Sequence, residues 1–231
     1  MVDINEHMTK AQDMGLSNGQ VPVEYYTSPE YFQREQEMIF RRAWLMVGRV
    51  EEVANPGDFV LRDMPTLEAS VLISHGKDGQ IRAFHNACSH RGVALVCEER
   101  GNALTFRCPY HAWVYGTDGK LRALPGADMF PDVKCGHDGL PPVHAGIWNG
   151  FIFVNFAEEP EETLEEFLGE AGRLFGELPF HEYKHEIRFP QPLATNWKHI
   201  SNAFTEGYHL GFLHKNSLPF VFVRENPLTD F

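Results

Sequence analysis

The fold is decided by Cys88-Ser-His90-Arg-Gly92 and Cys108-Pro-Tyr-His111, two stretches with 17 residues between His90 and Cys108. In an extended Cys-x-His loop both side chains point to the same side, so one loop can offer a thiolate and an imidazole together. The second stretch likewise provides one thiolate and one imidazole. Four such ligands suit either one tetrahedral zinc ion or a two-iron, two-sulfide cluster. From these residues alone both sites remain possible.

The residues between the two stretches are expected to bring them together. Residues 92–97 and 103–107 have the composition of strands, and residues 98–102 that of a turn, which predicts a hairpin. Zinc fingers usually pair cysteine with cysteine on a knuckle and histidine with histidine on a helix. No helical pattern follows His111. The iron-sulfur cluster is therefore favoured over zinc.

The surroundings of the four ligands resemble those of a known family. Residues 84–92 (FHNACSHRG) and 108–115 (CPYHAWVY) are similar to the Rieske motif of the Rieske non-haem iron oxygenases. The resemblance implies a [2Fe-2S] cluster in which Cys88 and Cys108 ligate one iron, while His90 and His111 ligate the other.

Two departures from related motifs refine this resemblance. Respiratory Rieske proteins add a cysteine to each loop, and this chain has Val93 and Tyr110 at the corresponding places, which favours the oxygenase branch. Ala112 stands where the family more often has glycine. If the backbone there has a positive φ, alanine costs about 1 kcal/mol.

Composition limits the partners and the location. With 20 basic and 32 acidic residues the formal net charge is −12, which argues against nucleic acid or an anionic membrane as a partner. No apolar run reaches the ~18 residues that span a bilayer, and the N-terminus shows no export signal. Cys97 and Cys135 lie outside the motif and suit a reducing compartment, so we expect a cytoplasmic protein.

The order of the patterns predicts an α+β chain of three parts. Residues 1–43 are expected to form an extended arm to about residue 27 and then a docking helix, with Ser28 as N-cap and Pro29 at its first position. Residues 44–158 are expected to be an all-β barrel or sandwich. Its predicted strands include 44–50, 58–61, 69–74, 80–84, 143–148 and 151–156.

Residues 159–231 are expected to begin a second α+β domain. Apolar residues at helical spacing predict a helix over Leu164–Phe175 with its glutamates outward, and residues 184–190 alternate as a strand. Thr195 is expected to cap a further helix that buries Trp197, Ile200 and Phe204. The resemblance implies that this part is the start of a catalytic domain of the helix-grip type.

The last predicted helix carries a second set of candidate ligands. Asn202, Glu206 and His209 share one face, and His214 can converge with His209 only if the helix ends or bulges near Gly211. The resemblance implies that His209 and His214 hold a mononuclear Fe(II) in a two-histidine, one-carboxylate triad. It also implies that Glu206 bridges this site to a cluster histidine of a neighbouring subunit, and that Asn202 lies near the iron.

The third ligand is expected from a segment that this chain does not contain, so the chain resembles the first half of an oxygenase α subunit. The resemblance implies electron delivery by a ferredoxin or reductase, hydroxylation of a small aromatic substrate by O2, and a homotrimer or α3β3 assembly. No G-x-G-x-x-G motif follows a predicted strand, so nicotinamide and flavin are expected on the partner. Alternatives are a Rieske electron carrier, a monooxygenase or demethylase of a quaternary ammonium or aryl ether substrate, and a zinc-stabilised binding module.

Overall fold

The computed structural model describes residues 21–184, 191–205, 207, 209–214 and 216–217. Among these, residues 34–184 form one compact unit, and 21–33 form another with the described residues from 191 onward. Strands and helices alternate with irregular segments, which confirms the predicted α+β class. The predicted domain boundaries after residues 43 and 158 remain predictions.

The larger unit is built mainly from short antiparallel strands. In chain order the strands are β1 (Leu45–Arg49), β2 (Asp58–Met64), β3 (Ala69–His75), β4 (Ile81–His85), β5 (Arg100–Asn102), β6 (Thr105–Arg107), β7 (Val114–Gly116), β8 (Leu121–Ala123), β9 (Pro142–Trp148) and β10 (Phe151–Asn155). One sheet has the order β1-β10-β9-β4-β3-β2-β5, and a small sheet has the order β6-β7-β8.

The helices are α1 (Glu24–Thr27), α2 (Pro29–Glu35, followed by a π-helical turn at Gln36–Phe40), α3 (Leu164–Phe175), α4 (Trp197–Thr205) and α5 (Leu210–Leu213). Single 3-10 turns occur at Val50–Val53, Pro65–Leu67, Ala127–Met129 and Phe180–Glu182. No helix in the described ranges has both the length and the apolar character needed to cross a bilayer.

Both faces of the interior strand β3 of the larger sheet are buried. Along β3 the side chain of Leu72 packs in one apolar cluster, whereas Val71 and Ile73 pack in the other. This split follows from the two-residue period of a strand. The cluster around Leu72 also contains Cys88 and Cys108, so the loops that carry the candidate ligands rest directly on the core.

The predicted hairpin between the two ligand loops is wrong. Residues 92–97 form no strand, and β5 lies where a turn was expected and pairs with β2. The strand β6 pairs instead with β7, so the second ligand loop is itself the connection of a hairpin. The side chain of Asn86 bonds to the backbone of the first ligand loop, where a strand was expected. Its side-chain oxygen accepts from the backbone N–H groups of Leu95 (3.0 Å) and Val96 (2.9 Å), and its Nδ2 donates to the Val96 carbonyl (2.8 Å).

The N-terminal helix begins as predicted but ends differently. Ser28 Oγ accepts from the Tyr31 N–H at 3.1 Å, which confirms the N-cap. The bond from Arg41 N–H to the Gln36 carbonyl widens the last turn into a π-helix, in which Ile39 is 43% exposed. The extended arm is also wrong for residues 24–27, which form α1.

Two helices of the C-terminal part agree with the sequence in position but not in burial. The helix α3 spans the predicted Leu164–Phe175 and is capped by Thr163, whose Oγ1 accepts from the Glu166 N–H at 3.2 Å. The helix α4 is capped by Asn196, whose Oδ1 accepts from the Lys198 N–H at 3.0 Å, and not by Thr195. Its predicted buried stripe is wrong, because Trp197, Ile200 and Phe204 are 39%, 36% and 87% exposed. The strand predicted at 184–190 lies outside the described residues after 184.

Candidate metal centres

The two ligand loops have the same backbone design. In the first, the Cys88 N–H donates to the Val93 carbonyl and the Gly92 N–H to the Cys88 carbonyl, both at 2.8 Å. In the second, the Cys108 N–H donates to the Trp113 carbonyl (2.8 Å) and the Ala112 N–H to the Cys108 carbonyl (3.1 Å). Each cysteine therefore starts a closed turn that ends five residues later.

The matched turns require a left-handed residue at the same place. Gly92 has φ of 69° and Ala112 has φ of 56°. A glycine adopts this conformation freely, whereas an alanine is strained in it. Ala112 therefore meets the condition of a positive φ, at which alanine costs about 1 kcal/mol.

The thiols meet inside the protein. Cys88 and Cys108 are both buried in the same apolar cluster, and neither forms a disulfide. Burial raises the pKa of the Cys108 thiol, but the backbone N–H groups of His111 and Tyr110 and the Cys88 side chain outweigh it and hold that pKa below its ordinary value. Because the thiolate is the form that binds metal, this loop is suited to a metal ligand at Cys108.

The imidazoles meet next to each other and nearer the surface. The ring centroids of His90 and His111 are 4.6 Å apart. The His90 ring stacks on Trp113 at 4.9 Å, and Phe130 packs edge-on against both at 5.5 and 5.4 Å. The buried Nδ1 of His90 has no hydrogen-bond partner among the residues that the structure describes. Burial, followed by the charges of His111 and Arg91, lowers the pKa of His90 and favours the neutral imidazole that ligates metals.

This donor set fits a two-iron cluster, with two thiols on the inner side and two imidazoles on the outer side. An orphaned, buried ring nitrogen is costly unless a metal or a donor satisfies it. In the described part of the chain, no three Cys, His, Asp or Glu side chains group around one point. A [2Fe-2S] cluster asks for only two protein ligands at each iron.

Sequence reasoning missed three residues around these ligands. The Tyr115 hydroxyl lies 3.2 Å from Cys88 Sγ and accepts from the Ser89 N–H at 3.2 Å. Burial, together with Cys88, raises the pKa of Tyr115 to about 12, so its hydroxyl keeps its proton at neutral pH. Asn86 had a local signal, since an asparagine that follows a strand often bonds to nearby backbone. Phe130 had none, because it reaches His90 from an irregular loop.

The second candidate site brings two predicted ligands together. The ring centroids of His209 and His214 are 5.4 Å apart, as the predicted convergence requires. The break that permits it precedes His209, because α4 ends at Thr205 and the short α5 starts at Leu210. The predicted break near Gly211 is therefore wrong, since Gly211 lies inside α5.

Asn202 and His214, two of the residues predicted for this site, each have a side-chain hydrogen-bond partner. Asn202 lies on α4, and its Nδ2 donates to the Tyr26 hydroxyl at 2.8 Å. His214 Nδ1 lies 3.2 Å from Ser217 Oγ. Glu206 lies outside the described residues. The roles predicted for all eight site residues remain predictions at this stage.

Comparison with known protein families gives two matches. Residues 43–135 match the Rieske [2Fe-2S] domain, and residues 180–230 match the ring hydroxylating alpha subunit (catalytic domain). The predicted cofactors, a [2Fe-2S] cluster and a mononuclear iron, are thereby confirmed at the level of the family.

Relatives of known function cover most of this chain. The carnitine monooxygenase oxygenase subunit of Escherichia coli K12 is 30% identical over 195 residues, which is 84% of this chain and 52% of the relative. The large oxygenase component of the naphthalene 1,2-dioxygenase system of Pseudomonas aeruginosa is 38% identical over 198 residues, with 82% and 43% covered. The chain thus spans about half the length of these relatives.

Solved structures of the same kinds of oxygenase also match this chain. The quaternary ammonium Rieske monooxygenase CntA in complex with L-carnitine matches with a TM-score of 0.77 and 31% identity over 88% of this chain and 57% of its own. A naphthalene 1,2-dioxygenase with bound indole matches with a TM-score of 0.71 and 34% identity over 84% and 44%. The chain therefore belongs to the Rieske non-haem iron oxygenases, and it contains their Rieske domain and part of their catalytic domain.

Proposed function

We propose that the chain is part of an oxygenase α subunit that hydroxylates a small substrate with O2. The observation that carries the proposal is the presence of two donor sets in one chain. Two buried thiols and two outer imidazoles lie on matched loops, and a pair of histidines, His209 and His214, flanks the short helix α5. An electron carrier would need only the first set.

Each donor set is assigned to one metal group. Cys88 and Cys108 would hold the inner iron of the cluster, and His90 and His111 the outer iron. His209 and His214 would hold the mononuclear Fe(II), with its carboxylate ligand outside this chain. When bound, the cluster relays single electrons and Fe(II) activates O2.

His111 is the better exit for electrons. His90 is enclosed by Trp113 and Phe130, whereas the ring that covers His111, at 3.8 Å, belongs to Tyr110, which is itself exposed. A partner side chain can therefore approach His111 more easily than His90. This arrangement supports a bridge from His111 to Glu206 of a neighbouring subunit, and with it a homotrimer or α3β3 assembly.

The first candidate substrate is a small aromatic compound, and the naphthalene dioxygenase relatives support it. A second candidate is a quaternary ammonium compound handled by a monooxygenase, because carnitine monooxygenases are similar over the same part of the chain. A glutamate at position 206 is familiar in relatives of the second kind. A ferredoxin or reductase would donate the electrons, and a cytoplasmic location would keep the four unpaired cysteines reduced.

Replacing Glu206 by glutamine tests the bridge. In the full-length protein we expect Glu206→Gln to keep both metal groups but to lower product formation roughly 100-fold, because the carboxylate that links the two histidines is lost. Iron and acid-labile sulfide analysis would check the metals, and product per O2 consumed would check the coupling. Glu165→Gln, on the exposed face of α3, is the matched control and should keep full activity. Full activity in Glu206→Gln would exclude the bridge.

A further inference from the structure

Tyr26 holds one stripe of the helix α4 by three different interactions. Its carbonyl accepts from Asn196 Nδ2 at 3.0 Å, its ring stacks on His199 with centroids 4.3 Å apart and planes 14° apart, and its hydroxyl accepts from Asn202 Nδ2 at 2.8 Å. Residues spaced by three lie along one side of a helix, so a single tyrosine follows α4 for two turns. The ammonium of Lys198 also lies 5.7 Å from the centre of the Tyr26 ring.

The apolar side of α4 is only partly covered by the described residues. Trp197 and Ile200 are 39% and 36% exposed, and Phe204 is 87% exposed. The stripe of Asn196, His199 and Asn202 therefore contributes to the position of α4 in this unit. Of the three interactions, the bond from Asn202 to the Tyr26 hydroxyl is the one that a substitution can remove while the Tyr26 ring stays in place.

This bond sets the orientation of the Asn202 amide. With Nδ2 directed to the Tyr26 hydroxyl, Oδ1 is turned the other way and is available to a donor on the side away from Tyr26. The helix α4 ends at Thr205, four residues before His209, so the segment with the paired imidazoles of His209 and His214 follows closely on the helix that Tyr26 contacts.

We propose that Tyr26 is a positioning residue for the mononuclear iron site. It acts through Asn202 and α4, and it reduces the freedom that His209 and His214 lose when they bind a metal. A donor pair that is already held in place binds its metal more tightly than a mobile pair. The inference rests on the proposed function, because it assumes that these two histidines are iron ligands.

The substitution Tyr26→Phe tests this role, because it keeps the ring on His199 and removes only the hydroxyl. In the full-length protein we expect the third iron to be lost to a chelator at an about fivefold lower concentration, the effect of one hydrogen bond. The cluster iron and sulfide, measured in the same sample, should not change. Tyr25→Phe is the matched control. Tyr25 stacks on Tyr31, has no described bond to α4, and should retain iron like the parent protein.

Two further measurements separate positioning from general stability. With Mn²⁺ in the mononuclear site and the cluster oxidised, the Mn²⁺ electron paramagnetic resonance spectrum should change in Tyr26→Phe and not in Tyr25→Phe. Asn202→Ala should weaken iron retention by itself, and adding Tyr26→Phe to it should cause no further loss, since the two substitutions remove the same bond.

The outcomes are distinct. If the parent protein retains a third iron and Tyr26→Phe retains it equally well, the positioning role is wrong. Additive losses in Tyr26→Phe and Asn202→Ala would also overturn it, because the two side chains would then act independently. If the parent protein binds no third iron at all, the proposed oxygenase function itself fails, and the inference fails with it.

Discussion

Tyr115 is the residue whose contact with the ligand set is most direct. Its hydroxyl lies 3.2 Å from Cys88 Sγ, and a hydrogen bond to a cluster sulfur stabilises the reduced, more negative state. We therefore predict that Tyr115→Phe lowers the reduction potential. A difference of about 1 kcal/mol in that bond corresponds to roughly 40 mV for a one-electron couple. A redox titration followed by circular dichroism measures it.

The control for this prediction is Tyr110→Phe. Tyr110 packs on His111, but its hydroxyl has no described partner, and the residue is 56% exposed. Its substitution should leave the potential within a few millivolts of the parent value. An unchanged potential in Tyr115→Phe, or an equal shift in both variants, would show that the Tyr115 hydroxyl does not act on the cluster.

Ala112 is a residue with backbone strain inside a candidate ligand loop. Its φ of 56° matches the φ of 69° at Gly92, which occupies the same place in the other loop. We predict that Ala112→Gly raises the free energy of unfolding by about 1 kcal/mol, because glycine adopts this conformation without strain. Chemical denaturation measures the change. Ala123→Gly in the strand β8 is the control and should lower stability, so a loss in Ala112→Gly as well would contradict the strain argument.

At the scale of single residues, the sequence predicts the features that depend on residues nearby in the chain. The four candidate ligands of the cluster are predicted from two local spacings, and the strain at Ala112 follows from its place in the motif. The contacts of Tyr115 with Cys88 and of Phe130 with His90 join residues that are far apart in sequence. No local pattern carries that information, because it depends on how the irregular loops pack.

At the scale of elements, the first ligand loop is held by the side chain of Asn86 and not by pairing with a strand. Asn86 satisfies three buried backbone groups of Leu95 and Val96. We predict that Asn86→Ala lowers the free energy of unfolding by about 3 kcal/mol, because each group then lacks a partner in the core. It should also speed cluster loss, since residue 86 lies two positions before Cys88. Denaturation and the decay of cluster absorbance measure the two effects.

An exposed asparagine serves as the control for this element. Asn102 bonds to the Pro56 carbonyl (3.3 Å) and to Asp58 Oδ1 (2.7 Å) on the surface, so Asn102→Ala should cost less than about 1 kcal/mol and leave the cluster lifetime unchanged. Equal effects of the two substitutions would mean that Asn86 has no special part in holding the ligand loop.

The elements also show where pattern reading works. The helix α3 has the predicted bounds because its apolar spacing and the Thr163–Glu166 capping box are both local signals. Residues 92–97 were expected to form a strand because they are apolar and β-branched. The backbone of this segment instead bonds to Asn86, and the strand β2 pairs with β5. The sequence does not show which strands pair with each other.

For the whole molecule, the sequence predicts the two donor sets and their order but not the division of the chain. Residues 21–33 belong with the residues that follow 191, through contacts such as that of Tyr26 with Asn202. Tyr26 and Asn202 are 176 positions apart, and the alternation of helix and strand patterns gives no sign of the pairing.

The central claim is that Cys88, His90, Cys108 and His111 hold a two-iron cluster. Counting iron, zinc and acid-labile sulfide in the purified protein tests it most directly. The account predicts two labile sulfides and at least two irons for each chain, and the loss of both sulfides when Cys108 is replaced by serine. One zinc for each chain with no labile sulfide, or a cluster that survives Cys108→Ser unchanged, would contradict it.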